Sequence, residues 1–338
     1  MDMTKIDSDK ISLISQILMA AGLIAVLPLG LLPALLAGLL VYNIIVFGSK
    51  SLCRIGVLPK AAKILLLLII SLVVITLFSV GCVRLVSFVS GDPESIVGLI
   101  KHIAEVVITA RNFMPEWSHQ YLPSNIEGWQ AELHEALLGN AQYLSAVGRG
   151  TGMFLIHVLF GMIIGGLAAL NASEVSSDKP FTKALEARGT CLSLAFRRIV
   201  FSQIRISALN TILTGLFLGI VMPAIGYHLP LVKTMIVVTF IVGLMPIIGN
   251  VISNTIIFLI ALGVSPGAAV GALVFLVAIH KLEYFVNAHI IGSRISAHAW
   301  ELLVAMLVMD AAFGIPGLVA APIYYAYIKD ELSAQKLV

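Results

Sequence analysis

The chain has 338 residues, 59% of them hydrophobic and only 12% charged, with a mean hydropathy of +1.03. Soluble domains carry about 25% charged residues, so this composition excludes a water-soluble globular fold. A dispersed net charge of +3 excludes a nucleic-acid surface. Cys53, Cys82 and Cys191 give neither a disulfide framework nor a metal spacing.

The charges are clustered, and long uncharged runs separate the clusters: Ile11–Ser49, Ile64–Val83, Gly150–Ser173, Ile206–Val232 and Thr234–His280. A further run, Leu302–Ile328, is broken only by Asp310. About 20 apolar residues cross a bilayer as a helix. The sequence therefore predicts an all-α polytopic membrane protein, with about six full spans plus two Gly/Pro-broken segments. The polar start Met1–Lys10 lacks a basic leader, so the first apolar run reads as a retained span. No P-loop pattern occurs, which predicts transport without an ATPase of the chain's own.

Ile11–Ser49 accommodates two spans, about Ser12–Leu27 and Leu31–Phe47, joined at Pro28, Gly30 and Pro33. Lys50, Arg54, Lys60 and Lys63 follow with no acid, which places that turn and the N-terminus in the cytoplasm. A third span leads to the segment 91–149. It is acidic, holds His102, His119, His134, Trp117 and Trp129, and is expected outside as amphipathic helices at the interface or as a small cap. Three regions result: 1–90, 91–149 and a transport region 150–338. In the last region, Gly150–Asn171 returns inward and the basic stretch 173–205 is a cytoplasmic connection. Ile206–Ile225 then goes out again. Two glycine pairs, Gly161/Gly165 and Gly215/Gly219, are spaced for close helix approach. Arg84 is expected to snorkel outward, and His157 to be a bundle residue.

The run 234–262 is interrupted by Gly243, Pro246 and Gly249, and the run 300–328 by Gly314, Pro316 and Gly317. Proline removes a backbone donor and glycine permits a sharp bend. Each interruption predicts either a re-entrant helix–turn–helix or a kinked full span. Paired interruptions of this kind point to a transporter's binding site. If both are hairpins, they enter from opposite sides around the span Ala268–Val286, and the C-terminus lies in the cytoplasm.

Ionisable groups within a bilayer are functional candidates. Asp310 is the clearest: it could bind a proton, a cation or a polar substrate group, or it could cap the helix after the break. His280, Glu283 and Asn287 share one helix face and are expected to line a pathway or to sit among headgroups. Asn250 and Asn254, one turn apart, offer uncharged contacts to a hydroxylated substrate or to a packed helix.

The stretch 243–332 resembles the autoinducer-2 exporter family of bacterial membrane transporters. The matching elements are Met245-Pro246-Ile-Ile-Gly249, Lys281-Leu-Glu283-Tyr-Phe-Val-Asn287 leading to Ile290-Ile-Gly292, Gly314-Ile-Pro316-Gly317 and Ala320-Ala-Pro322. His289 and Ala299 depart from the common pattern. The resemblance implies a homo-oligomer, pentameric in this family, in the bacterial inner membrane. It would export a small polar molecule, such as autoinducer-2, with no cofactor and no nucleic-acid partner. A cation/proton exchanger or channel on the same fold is the alternative.

A serine protease is the enzyme rival, because Gly263-Val-Ser265-Pro266-Gly267 matches Gly-x-Ser-x-Gly. In such hydrolases the residue after the serine gives an oxyanion N–H, and Pro266 has none. Ser265 as a helix cap, with Pro266 in the first turn, accounts for the same residues.

Overall fold

The computed structural model describes residues 3–90, 141–172, 179–245, 248–291 and 299–336. Side chains are described for 10–80, 149–172, 179–245, 249–279, 281 and 300–336. The expected external segment 91–140, with its histidines and tryptophans, lies outside the described residues, as do Pro246 and the Arg84 side chain. All regular structure among the described residues is helical: α1 Met3–Val26, α2 Leu32–Arg54, α3 Pro59–Ser90, α4 Ala141–Asn171, α5 Pro180–Leu216, α6 Val232–Gly243, α7 Ile248–Val264, α8 Pro266–Ile291, α9 Ala299–Phe313 and α10 Ile315–Ala334.

Among the described residues, four helical stretches are long and apolar enough to cross a membrane: Leu32–Arg54, Pro59–Val80, Arg149–Asn171 and Pro180–Ala224. Several shorter apolar helices accompany them. The chain is thus an all-α, multi-spanning membrane protein. Its surface agrees: Leu68, Leu72, Ile75 and Leu77 on α3 are each more than 60% exposed, which only an apolar surrounding tolerates on this scale. The sequence punctuation falls where helices begin and end. Gly30 and Gly56, both with positive φ, make the turns on either side of α2. Pro59, Pro180 and Pro266 each open a helix, where the missing N–H costs nothing. The basic stretch expected as a connection is helical from Pro180 onward. It forms the first half of α5, which at ~1.5 Å per residue is ~55 Å long, well beyond a bilayer core of ~30 Å.

The chain divides into two compact units. The first holds residues 1–79, 148–200 and 295–338. In it, the backbones of α2 and α4 meet closely. A Cβ on Gly161 would overlap the Ala34 carbonyl, and one on Gly165 the Gly38 carbonyl. One on Gly38 would lie 2.8 Å from the Gly161 oxygen. The Gly161/Gly165 pair therefore does bring two backbones into contact. Beside it, Val41, Ile45 and Ala169 pack with Leu66, Leu67 and Ile70 of α3. Lys63 is buried, and its Nζ donates to the Leu170 carbonyl at 3.5 Å, at the negative end of α4. A second cluster joins α1, α5 and α10 through Leu23, Leu27, Leu192, Phe196, Ile323 and Tyr327. There the Tyr324 hydroxyl donates to the Leu23 carbonyl at 2.9 Å.

Charged residues of this unit are paired at the end of α10. Lys329 donates to Glu301 of α9 at 2.8 Å, Arg198 of α5 pairs with Asp330, and Arg188 pairs with Glu331. Arg188 also donates to the Ser12 hydroxyl at 2.9 Å. Asn43 and Ser193, both buried, link α2 to α5 by a 3.2 Å hydrogen bond. The Arg197 guanidinium stacks 3.7 Å from the Phe47 ring centre.

The second unit comprises 80–147 and 201–294. Its core is Leu218, Met222, Met235, Ile257, Ala261, Ala268 and Ala272, and the Phe217 and Phe275 rings stack at 3.9 Å. After Leu216, α5 widens into a π turn over Phe217–Val221, closed by the Met222 N–H on the Phe217 carbonyl. Pro223 follows. It has no N–H to give the Gly219 carbonyl, and the wider turn accommodates that loss. The expectation for Gly215/Gly219 is corrected by their surroundings. Among the described residues, a Cβ on Gly219 would meet nothing within 4 Å, and one on Gly215 would meet the Ile236 side chain at an ordinary 3.4 Å. Neither glycine faces a neighbouring backbone as Gly161 and Gly165 do, so this pair makes no close helix contact among the described residues.

Substituting Gly165 by leucine should cost about 1–3 kcal/mol or more, because a backbone carbonyl cannot yield. Gly152→Ala, in open space, should be neutral; thermal unfolding in detergent compares the two. Glu331→Ala should cost about 3 kcal/mol, because it strands Arg188 in a pair whose side chains are only 15% and 9% exposed. Asp330→Ala should cost under about 1 kcal/mol, its pair being 32% exposed on each side. Equal losses in the same melting assay would refute that ranking.

Candidate functional site

Both interrupted segments are helix–turn–helix units. In the second unit of the chain, α6 stops at Gly243 and α7 begins at Ile248, and the two helices pack on each other. A Cβ on Gly249 would overlap the Val242 carbonyl, so glycine is needed where α7 leaves the turn against α6. Stopping a helix leaves its last carbonyls without partners, and α5 supplies donors for them. Gln203 Nε2 donates to the Gly243 carbonyl at 2.8 Å, and Ser207 Oγ to the Phe240 carbonyl at 2.7 Å. A Cβ on Gly243 would sit 2.7 Å from that Ser207 oxygen. One turn on, Asn210 Nδ2 donates to Asn250 Oδ1 at 3.2 Å. Asn250 is thus held at the start of α7 by a side chain of α5, and Asn254, half-buried, lies one turn further along α7.

The other interruption lies in the first unit of the chain. Gly314 has φ +63°, ψ −148° and joins α9 to α10. Pro316 stands in the first turn of α10, and a Cβ on Gly317 would overlap the Met309 carbonyl. The open end of this hairpin is closed by Glu301, near the start of α9, which accepts from Tyr325 and from Lys329, near the end of α10. The Glu301 carboxylate holds the Lys329 ammonium above its ordinary pKa range. Asp310 is exposed in the last turn of α9, and the Gly314 N–H donates to its backbone carbonyl at 2.7 Å. Gly314, not Asp310, is the cap of α10, and no side chain bonds there. The capping alternative for Asp310 is therefore corrected: the Gly314 turn swings the start of α10 away from it.

The structure brings Asn250 together with residues of α5 but places Asp310 in a different unit of the chain. His280, Glu283 and Asn287 stand at helical spacing toward the end of α8, and their side chains lie outside the described residues. Ser265 Oγ accepts from the Ala268 N–H at 3.0 Å, with Pro266 opening α8. This is an N-cap and accounts for the Gly-x-Ser-x-Gly pattern. Among the described residues, no group of three or more His, Cys, Asp or Glu is arranged to hold a metal.

The model for the AI-2E family transporter matches residues 13–335. The chain belongs to this family. Its resemblance over the last quarter therefore extends through nearly the whole sequence, and the family is one of transporters, not of enzymes. A Bacillus subtilis (strain 168) protein described as "Putative transport protein YdbI" is 24% identical over 260 residues, covering 76% of this chain and 72% of that one. No solved structure matches the chain.

Within this family member, sequence reading passed over the polar face of α5. Gln203, Ser207, Asn210 and Thr214 recur at intervals of three and four, with Thr211 next to Asn210, and the run from Ile206 onward is otherwise apolar. That stripe is a legible signal. It was hidden because none of its members is ionisable. Thr239 on α6 is 1% exposed, and Thr211 Oγ1 is also buried; neither hydroxyl has a hydrogen-bond partner among the described residues.

Removing the α8 cap in Ser265→Ala should cost about 1 kcal/mol of stability and leave transport at wild-type rate. Loss of cleavage of a co-reconstituted membrane substrate would instead revive the protease.

Proposed function

We propose that the chain is a secondary transporter of the bacterial inner (cytoplasmic) membrane. It exports a small polar molecule, autoinducer-2 or a related metabolite, without ATP. The observation that carries this reading is the pair of glycine-turned hairpins in a chain of the AI-2E family. Helix α6 has 12 residues and α9 has 15, so at ~1.5 Å per residue they are ~18 and ~22 Å long, short of a ~30 Å hydrocarbon core. In this reading each hairpin dips into the bilayer and returns, and the two enter from opposite faces among about six full spans. The charges at the open end of α9–α10, with Lys329 and Lys336, favour a cytoplasmic entry for that hairpin. The termini are then cytoplasmic and the working form is a homo-oligomer, with five copies as the family resemblance implies.

In the proposed pathway Asn250 and Asn254 meet the solute, and Asp310 couples a cation at the tip of the second hairpin. His280, Glu283 and Asn287 form the exit face of α8. An unpaired carboxylate at a membrane-embedded tip is costly unless it works, and Asp310 has no ion-pair partner among the described residues.

Inverted vesicles carrying the protein should take up autoinducer-2 faster with a proton gradient than without it. Asp310→Asn should abolish the gradient-dependent part while the protein remains folded. Unchanged flux in Asp310→Asn removes its coupling role. Absence of uptake together with a cation-driven pH change would move the assignment to a cation/proton exchanger.

A further inference from the structure

A threonine within a helix can return its hydroxyl proton to the carbonyl one turn back. In this protein the exposed Thr76 does so to Leu72, Thr190 to Glu186 and Thr255 to Val251, at 2.8–2.9 Å. Thr211 and Thr239 do not, although both Oγ1 atoms are shut off from the surroundings. A buried hydroxyl without a partner is destabilising, and two of them at one place call for a reason.

The helix register puts them at one level. Helices α5 and α6 run antiparallel, in a register set by Gln203 on Gly243, Ser207 on Phe240 and Gly215 beside Ile236. Midway between Ser207 and Gly215, that register puts Thr211 opposite the turn that holds Thr239. The Asn210–Asn250 amide pair lies at the same level, adjacent in sequence to Thr211. The described residues of this interface carry no charge between Ile206 and Val232 on α5 and its extension, and none on α6 beyond Lys233.

We propose that the α5–α6 interface at Thr211 and Thr239 is the binding site for an uncharged, hydroxyl-bearing solute. The two threonine hydroxyls and the Asn210–Asn250 amides supply its hydrogen bonds. This deepens the transport reading and rests on it. The chemistry follows from the donor set. Hydroxyls and amides both give and accept hydrogen bonds, which matches a polyol or hydrated carbonyl compound. A charged solute at this level would lose its hydration with no opposite charge to meet. Recognition of hydroxyls by such a site is steep, because a solute lacking them leaves the same protein groups unpaired. Asp310 is not part of this site, so solute recognition and ion coupling fall on different side chains.

The test is ligand-dependent thermal stability of the purified full chain in detergent, with autoinducer-2, ribose and sodium chloride as probes. The variants are Thr211→Val, Thr239→Val, Thr239→Ser and the exposed control Thr255→Val. Without ligand, the valine variants should melt at or above the wild-type temperature, since each removes an unpaired buried hydroxyl. Autoinducer-2 or ribose should raise the melting temperature of wild type, Thr239→Ser and Thr255→Val. Either Thr211→Val or Thr239→Val should weaken apparent affinity at least tenfold.

The proposal is overturned by a clear fall in unliganded melting temperature in the valine variants, an undiminished ligand shift in them, or no shift with either hydroxylated probe in wild type. A shift produced by sodium ion and lost in the valine variants also overturns it, in favour of an ion site. Binding is read here without flux. Hydroxyl-dependent binding in a protein whose vesicles export nothing would therefore sink the transport reading and leave the site standing.

Discussion

A helix that stops inside an apolar medium leaves carbonyls that no water can reach. The arrangement of the second unit answers that constraint. Gln203 and Ser207 reach from an intact helix to the last turn of α6, and Gly243 and Gly249 let the backbones come close enough for this to happen. Remove those donors and the interruption has no place in a membrane. With them, the chain can keep a bend where a continuous helix would otherwise be favoured. The polar stripe of α5 supplies those donors, and Thr211 is what it offers beyond them, with Thr239 on the facing helix α6.

Charge and polarity are divided between the two units in different ways. The first unit pairs full charges on Arg188, Arg198, Lys329, Asp330, Glu331 and Glu301, beside apolar, glycine-mediated and a few neutral polar contacts. The second relies on neutral hydroxyls and amides around α6 and α7. Neutral groups make weaker, more exchangeable contacts than ion pairs. That contrast suits one region for anchoring and the other for reversible contact with a solute. Helix α5 carries both kinds, charged before Ile206 and neutral after it.

Much of this was legible in the sequence. The spans, the turns at Gly30 and at the two broken segments, the Ser265 cap and the Gly161/Gly165 contact all rest on local chemistry that a sequence states directly. Glycine spacing alone could not separate Gly161/Gly165 from Gly215/Gly219. What each pair faces decides that difference: the first meets the backbone of α2, and the second, among the described residues, a side chain or open space. The ion pairs at Lys329, Asp330 and Glu331 join residues 28 to 143 positions apart, which no local pattern encodes. Asn250 stood out because it followed a visible break. Its partner Asn210 did not, since an amide within an apolar run looks the same whether it faces a helix or a lipid. Asp310 drew notice for its charge, yet the turn at Gly314 separates it from the helix it could have capped.

Three consecutive residues near the end of α10, Lys329, Asp330 and Glu331, define a rotational address. In order they read positive, negative, negative, and they meet a carboxylate and two guanidinium groups. Advancing the helix by one residue turns it by about 100° and would carry Lys329 to the place of Asp330, against Arg198. Stepping it back would carry Asp330 to the place of Lys329, against Glu301. Either slip sets like charges together, so the pattern rejects both neighbouring registers as well as holding its own. A screw motion of α10 about its axis is thereby disfavoured at the end that carries the charges. Among the described residues no ion pair sets such a rule toward the Gly314 tip, so the address is written at one end of the helix only.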